Sequence, residues 1–154
     1  MNDITLARLL HVLAVIIWIG GVSMVATVVL PAIRRGDLGA NRLQAFRTIE
    51  RRFVRQARTA VLLTGMSGIY MVWRLDLWQR FAATEFWWMH AMVCLWVLFT
   101  FILFVAEPLF LHRRFDRWAS VHPEIAFTWF TRAHRLLLLL SVVTIAGAMV
   151  GSHG

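Results

Sequence analysis

The stretch LARLLHVLAVIIWIGGVSMVATVVLPAI, residues 6–33, holds Arg8 and His11 as its only titratable side chains. A hydrocarbon core about 30 Å thick takes about 20 helical residues, so this run is long enough to cross a bilayer as one helix. It is longer than the apolar core of a secretory signal and is followed, not preceded, by its arginine cluster, so it is expected to stay in place as a helix. Lipid as the solvent is also what the composition demands. With 60% hydrophobic residues among 154 and a mean hydropathy of +0.68, a water-soluble domain could not hide its apolar surface.

Working outward, three further apolar stretches qualify as spans, at about 59–78, 86–111 and 126–151. Every backbone polar group needs an internal partner in lipid, and no strand-like alternation occurs, so helices are the expected spanning element. Short outer and longer inner connections give the expected fold class: an all-α integral membrane protein, a four-helix up-down bundle formed by the single domain 1–154. Thirteen of the sixteen arginines lie in Arg34 to Arg58 and Arg113 to Arg135, against Arg8, Arg74 and Arg80 elsewhere. The positive-inside bias then puts both segments in the cytoplasm and both termini in the periplasm, as a multi-pass protein of the bacterial inner membrane.

The net charge of +8 and isoelectric point near 11.7 do not make a nucleic-acid binder, because the arginines cluster at span ends and leave no basic face. The bilayer and its anionic headgroups are the expected partner. Between the first two spans, Leu43, Phe46, Ile49 and Phe53 recur at helical spacing among arginines, which reads as an amphipathic cytoplasmic segment over about 40–58, or an extension of the second helix, lying against headgroups. Ala60, Thr64 and Gly68 form a small-residue ridge, Gly147 and Gly151 another, both suited to helix contact. Homo-oligomerisation is left open. The single Cys94 excludes a disulfide framework.

Chemistry has to reside in polar groups at membrane depth, where a histidine is costly unless bonded or ligating. His11 heads a stripe of Val15, Trp18, Val22 and Val25, and His90 heads Cys94, Val97 and Phe101; both fall near the outer face. Two imidazoles projecting from different helices into an apolar cavity suit the axial positions of haem iron, with walls from aromatic residues such as Trp18. His11 and His90 are therefore the expected metal ligands and haem b the expected cofactor. A second haem would sit between His112 and His134, and His134 alone could ligate, carry protons, or bond a quinone or a porphyrin carboxylate. Glu107 is expected to pair with Arg58, Arg132 or Arg135, and Arg58 could instead meet a haem propionate. His153 is expected to be inert.

These residues carry a resemblance. Leu10-His11-Val12-Leu13-Ala14-Val15, Trp18-Ile19-Gly20-Gly21 and Leu30-Pro31-Ala32-Ile33-Arg34-Arg35 resemble the opening helix of the CopD-type (copper resistance protein D) membrane domain. Ile49-Glu50-Arg51-Arg52-Phe53-Val54-Arg55 and Trp88-Met89-His90 resemble the HemJ-type protoporphyrinogen oxidases. The resemblance implies a haem-b four-helix membrane protein with the first-helix histidine as a ligand. The chain departs from the HemJ-type pattern in carrying Ala91 and Met92 where a lysine follows the histidine, and in lacking an Asn-Glu-X-Pro signature. The expected function is a membrane b-type haem protein, an electron-transfer or quinol-linked oxidoreductase. The alternatives are a haem-dependent protoporphyrinogen IX oxidase and a copper or haem transport module; Met89 and Met92 beside His90 are the only soft donors pointing to copper.

Overall fold

Helix α1 opens where Asn2 caps it, its side chain accepting from the Ile4 N–H, and runs over Asp3–Arg35. Its last turns are not uniform. Val25–Val29 is wound as a π turn, with the Leu30 N–H reaching the Val25 carbonyl, and Pro31 follows directly. A proline ring clashes with the carbonyl one turn before it, and a wider turn is one way to relieve that clash. The helix ends at Gly36, whose φ of 84° is open to a residue without Cβ.

The computed structural model describes residues 2–39, 41–115, 118 and 121–151. It is 93% helical and no strand occurs among the described residues. After α1 come α2, Arg42–Arg74; two short 3₁₀ turns, Leu77–Ala82 and Thr84–Phe86; α3, Trp87–Phe101, which continues as a π-helical segment, Ile102–Phe115; and α4, Pro123–Gly151. Three helical stretches are long and apolar enough to cross a membrane: Asp3–Arg35, Thr84–Leu109 and Glu124–Gly151. The expected second span, 59–78, is not among them: its residues up to Arg74 are the C-terminal part of α2, with the apolar run bounded by Arg58 and Arg74, and the remainder passes into the first 3₁₀ turn.

Ion pairs fix the directions of the helices. At one end of α2, Arg74 donates to Asp3 at 2.8 Å, and Tyr70 adds a second bond to the same carboxylate at 2.9 Å, so α1 and α2 run antiparallel. At the other end Arg42 meets Glu124 at 2.5 Å, tying the start of α2 to the start of α4. The amphipathic segment is thus continuous with α2, and its apolar stripe faces protein instead of headgroups. Phe46, 4% exposed, meets Phe127 and Phe130 edge-on at 5.8 and 5.2 Å, because the stripe continues the same face that Val54, Ala57 and Val61 bury in the main core.

Small residues admit aromatic rings. A Cβ at Gly65 would stand 2.5 Å from the Trp96 ring, and one at Gly147 would stand 2.5 Å from Trp87. Gly151 accommodates Trp88 and Gly21 accommodates Phe53 in the same way. Trp88 is turned inward, whereas Trp73, Trp78 and Trp87 are exposed. The Gly147 and Gly151 ridge therefore contacts α3 through indoles, not through backbone.

Trp96 is held in its cradle by its own N–H, which donates to the Val61 carbonyl at 2.9 Å. Gly65→Ala must displace a ring that is both packed and bonded, and overpacking of this kind costs about 1–3 kcal/mol. The melting temperature in detergent should fall, and Trp96→Leu introduced beside Gly65→Ala should recover part of the loss. Unchanged melting of the single variant would show that α2 and α3 do not approach as described.

Candidate functional site

The histidines fall into three different surroundings. On α1, His11 is half-buried against α2, its Nδ1 lying 3.0 Å from the Thr64 carbonyl and 3.1 Å from the Ser67 hydroxyl. Gly68 makes room for that ring, since a Cβ there would sit 3.2 Å from its Cε1. On α3, His90 is exposed; its Nε2–H donates to the Phe81 carbonyl at 3.0 Å, and the Phe81 ring stands edge-on to it at 5.5 Å. The structure does not bring these two histidines to a common cavity. The expected pair takes different partners because His11 follows the α1–α2 seam while His90 turns back onto the 3₁₀ connection. Among the described residues, no group of three or more His, Cys, Asp or Glu side chains is placed to hold a metal ion. His122 is exposed; the side chain of His112 and all of His153 lie outside the described residues.

His134 is different. It lines a cavity of about 550 Å³ in the half of the bundle that holds Arg42 and Glu124, walled by aliphatic side chains together with aromatic ones that include Trp18, Phe46, Phe53, Trp129 and Phe130. Its Nδ1 lies 3.0 Å from the Phe130 carbonyl, and the two rings stack at 5.5 Å with 26° between planes. A carbonyl only accepts, so Nδ1 carries a proton, and in the neutral form of the ring Nε2 is a lone pair. Across the same cavity Trp18 is 4% exposed, held edge-on to Phe99 at 4.8 Å, and its indole N–H has no partner. A buried donor left without a bond is unusual in a native structure and calls for a reason.

The carboxylates of the cavity wall are Glu50 and Glu107, and no arginine lines it among the described residues. Glu107 is only 11% exposed at its side chain and pairs with Arg58 at 2.6 Å; Arg132 and Arg135 are exposed. Arg58 also donates through Nε to the Leu103 carbonyl at 2.9 Å and lies over the Phe104 ring at 5.5 Å. The carbonyl bond has a local cause. In a π-helix each N–H reaches five residues back, so Pro108, which has no N–H, leaves Leu103 without its donor, and Arg58 supplies one.

Of the residues expected from sequence to hold a cofactor, Trp18 and His134 share the cavity, Arg58 stands behind its wall on Glu107, and His11 and His90 lie outside it. The aromatic wall from α2 was not anticipated. Its signal was present in the i, i+3, i+7 spacing of Phe46, Ile49 and Phe53, which marks a buried face as readily as an interfacial one. No protein-family model, curated protein or solved structure matches the chain. The CopD-type and HemJ-type resemblance rests on the residues quoted for it.

Breaking a buried ion pair by removing one partner costs about 3–5 kcal/mol. The Arg58 side chain is 33% exposed, so Glu107→Gln should fall near the lower end, about 3 kcal/mol. Thermal melting in detergent checks it, with Glu124→Gln, whose own side chain is 68% exposed, as the comparison. Equal small losses in both variants would mean that the Arg58–Glu107 pair is effectively solvated.

Proposed function

We propose that this protein is a membrane-embedded, quinol-linked redox protein whose cavity at the basic end binds a planar, lipid-soluble redox molecule. The observation that carries this reading is one mainly apolar cavity lined both by Trp18, whose indole N–H has no partner, and by His134, whose Nδ1 is bonded to its own helix. Pockets of this composition bind flat hydrophobic ligands and orient them with a few polar groups. The reading includes a bacterial inner-membrane location and a four-span up-down bundle with α2 as the second span. The arginine-rich segments then face the cytoplasm and both termini the periplasm.

Haem b is the second reading, favoured by the His134 tautomer: an Nδ1 fixed by a carbonyl leaves Nε2 oriented as a ligand. The aromatic walls fit a porphyrin, and His134 would hold the iron, supplying one axial ligand and so tuning one-electron chemistry. The polar lining fits it less well. Porphyrin carboxylates would face Glu50 and Glu107, while the nearest arginine, Arg58, is already engaged.

Topology is checked by fusing a periplasm-active phosphatase after Gly154. Activity of the fusion is the expected outcome; a fusion active only as a cytoplasmic reporter would invert the assignment of the cavity to the cytoplasmic side.

The cavity reading is checked by titrating the purified protein with haemin and, separately, with a short-tail hydroquinone. At least one should saturate at one molecule per chain, with Ala133→Phe, which pushes a ring into the cavity from a partly open position, weakening it about tenfold or more. Failure of both ligands to bind would refute the reading.

A further inference from the structure

We propose that the Trp18–His134 cavity is a hydroquinone site, selective for the reduced form of a lipid-soluble quinone. This rests on the cavity reading above and adds the oxidation state of the occupant. The argument is one of donors and acceptors. With Nδ1–H consumed by the Phe130 carbonyl, the neutral imidazole of His134 has only an acceptor to offer, whereas indole Nε1 on Trp18 is only a donor. An oxidised quinone presents two carbonyl oxygens, both acceptors, so it satisfies Trp18 and faces the His134 lone pair with another lone pair. A hydroquinone has an O–H at each end. One hydroxyl donates to His134 Nε2, while the oxygen of the other accepts from Trp18 after a small turn of the indole, whose N–H is covered by protein.

The remaining features agree with a neutral two-headed phenol. The walls are aromatic and suit ring stacking. The carboxylates in the lining, Glu50 and Glu107, oppose an anionic headgroup but tolerate phenolic hydroxyls. The buried indole N–H, which otherwise stands without a bond at 4% exposure, gains its acceptor. A site that discriminates by leaving a buried polar group unpaired in the wrong ligand is an effective one.

The test uses the full-length protein in detergent under anaerobic conditions, titrated calorimetrically with a ten-carbon-tail benzoquinone and, separately, with the same molecule chemically reduced. The hydroquinone should bind about fivefold to tenfold more tightly at pH 7.5, the difference expected for one neutral hydrogen bond against none. Trp18→Phe, which keeps a ring against Phe99, should weaken both forms to a similar extent. His134→Ala should abolish the preference, bringing the hydroquinone down to the affinity of the quinone. Melting curves identify any variant that fails to fold; for such a variant, His134→Gln or Trp18→Tyr takes its place.

Equal binding of the two oxidation states by the wild type, or a preference that survives His134→Ala, would overturn the proposal. Protoporphyrin IX added in parallel separates the two levels of inference. If it binds and the hydroquinone does not, the cavity is real and its occupant is a porphyrin; if neither binds, both readings fall.

Discussion

The Arg58–Glu107 contact sets the register on which the cavity-bearing half of the molecule depends. A carboxylate within a bilayer-length helix is tolerated only with a partner, and Arg58 is bonded to it at 2.6 Å. The same guanidinium satisfies the carbonyl that Pro108 strands and covers the ring of Phe104. Three separate demands of α3 therefore converge on one side chain of α2. Once that point is fixed, Phe53 and Ala57 on α2 and Leu103 and Glu107 on α3 must face a common space, which is the cavity wall.

The seam between α1 and α2 is built on a different principle. Alanines at 7 and 14 and small residues at 60, 64, 67 and 68 let the two helices approach closely. Into this close contact the chain inserts one imidazole, and it is bonded on arrival by Thr64 and Ser67. His11 thus stabilises a helix pair. His134 has one nitrogen anchored to its own helix and lines the cavity.

Much of the architecture was legible in the chain because lipid is an unforgiving solvent. Apolar length alone marks α1, α3 and α4, and their boundaries fall within a few residues of those expected. The ion-pair partner of Glu107 was narrowed to three arginines, one of which holds it. The pairing of His11 with His90 was not legible, because position along a helix gives depth but not azimuth. A ring that shares a leaflet with another can still face a different neighbour, and His90 turns to Phe81. Of the two readings of 40–58, the extension of the second helix is the one seen; the covering of its stripe was not legible, because the spacing of Phe46, Ile49 and Phe53 fixes a stripe on the helix but not whether lipid or protein covers it. The π turns before Pro31 and around Pro108 left no signal beyond the prolines themselves.

The short apolar run of α2 bears on the membrane as well as on the fold. Between Arg58 and Arg74, both tied to carboxylates on neighbouring helices, the lipid-facing part of α2 is about 22 Å long at 1.5 Å per residue, against a hydrocarbon core of about 30 Å. Arginines committed to ion pairs cannot snorkel freely to close that gap. In a four-span arrangement the bilayer bordering α2 must thin, or a second protein surface must shield it there, and the protein is biased toward thinner membranes by hydrophobic mismatch. Leu62, Leu63, Met66 and Ile69 form the exposed apolar face of α2 between the two arginines.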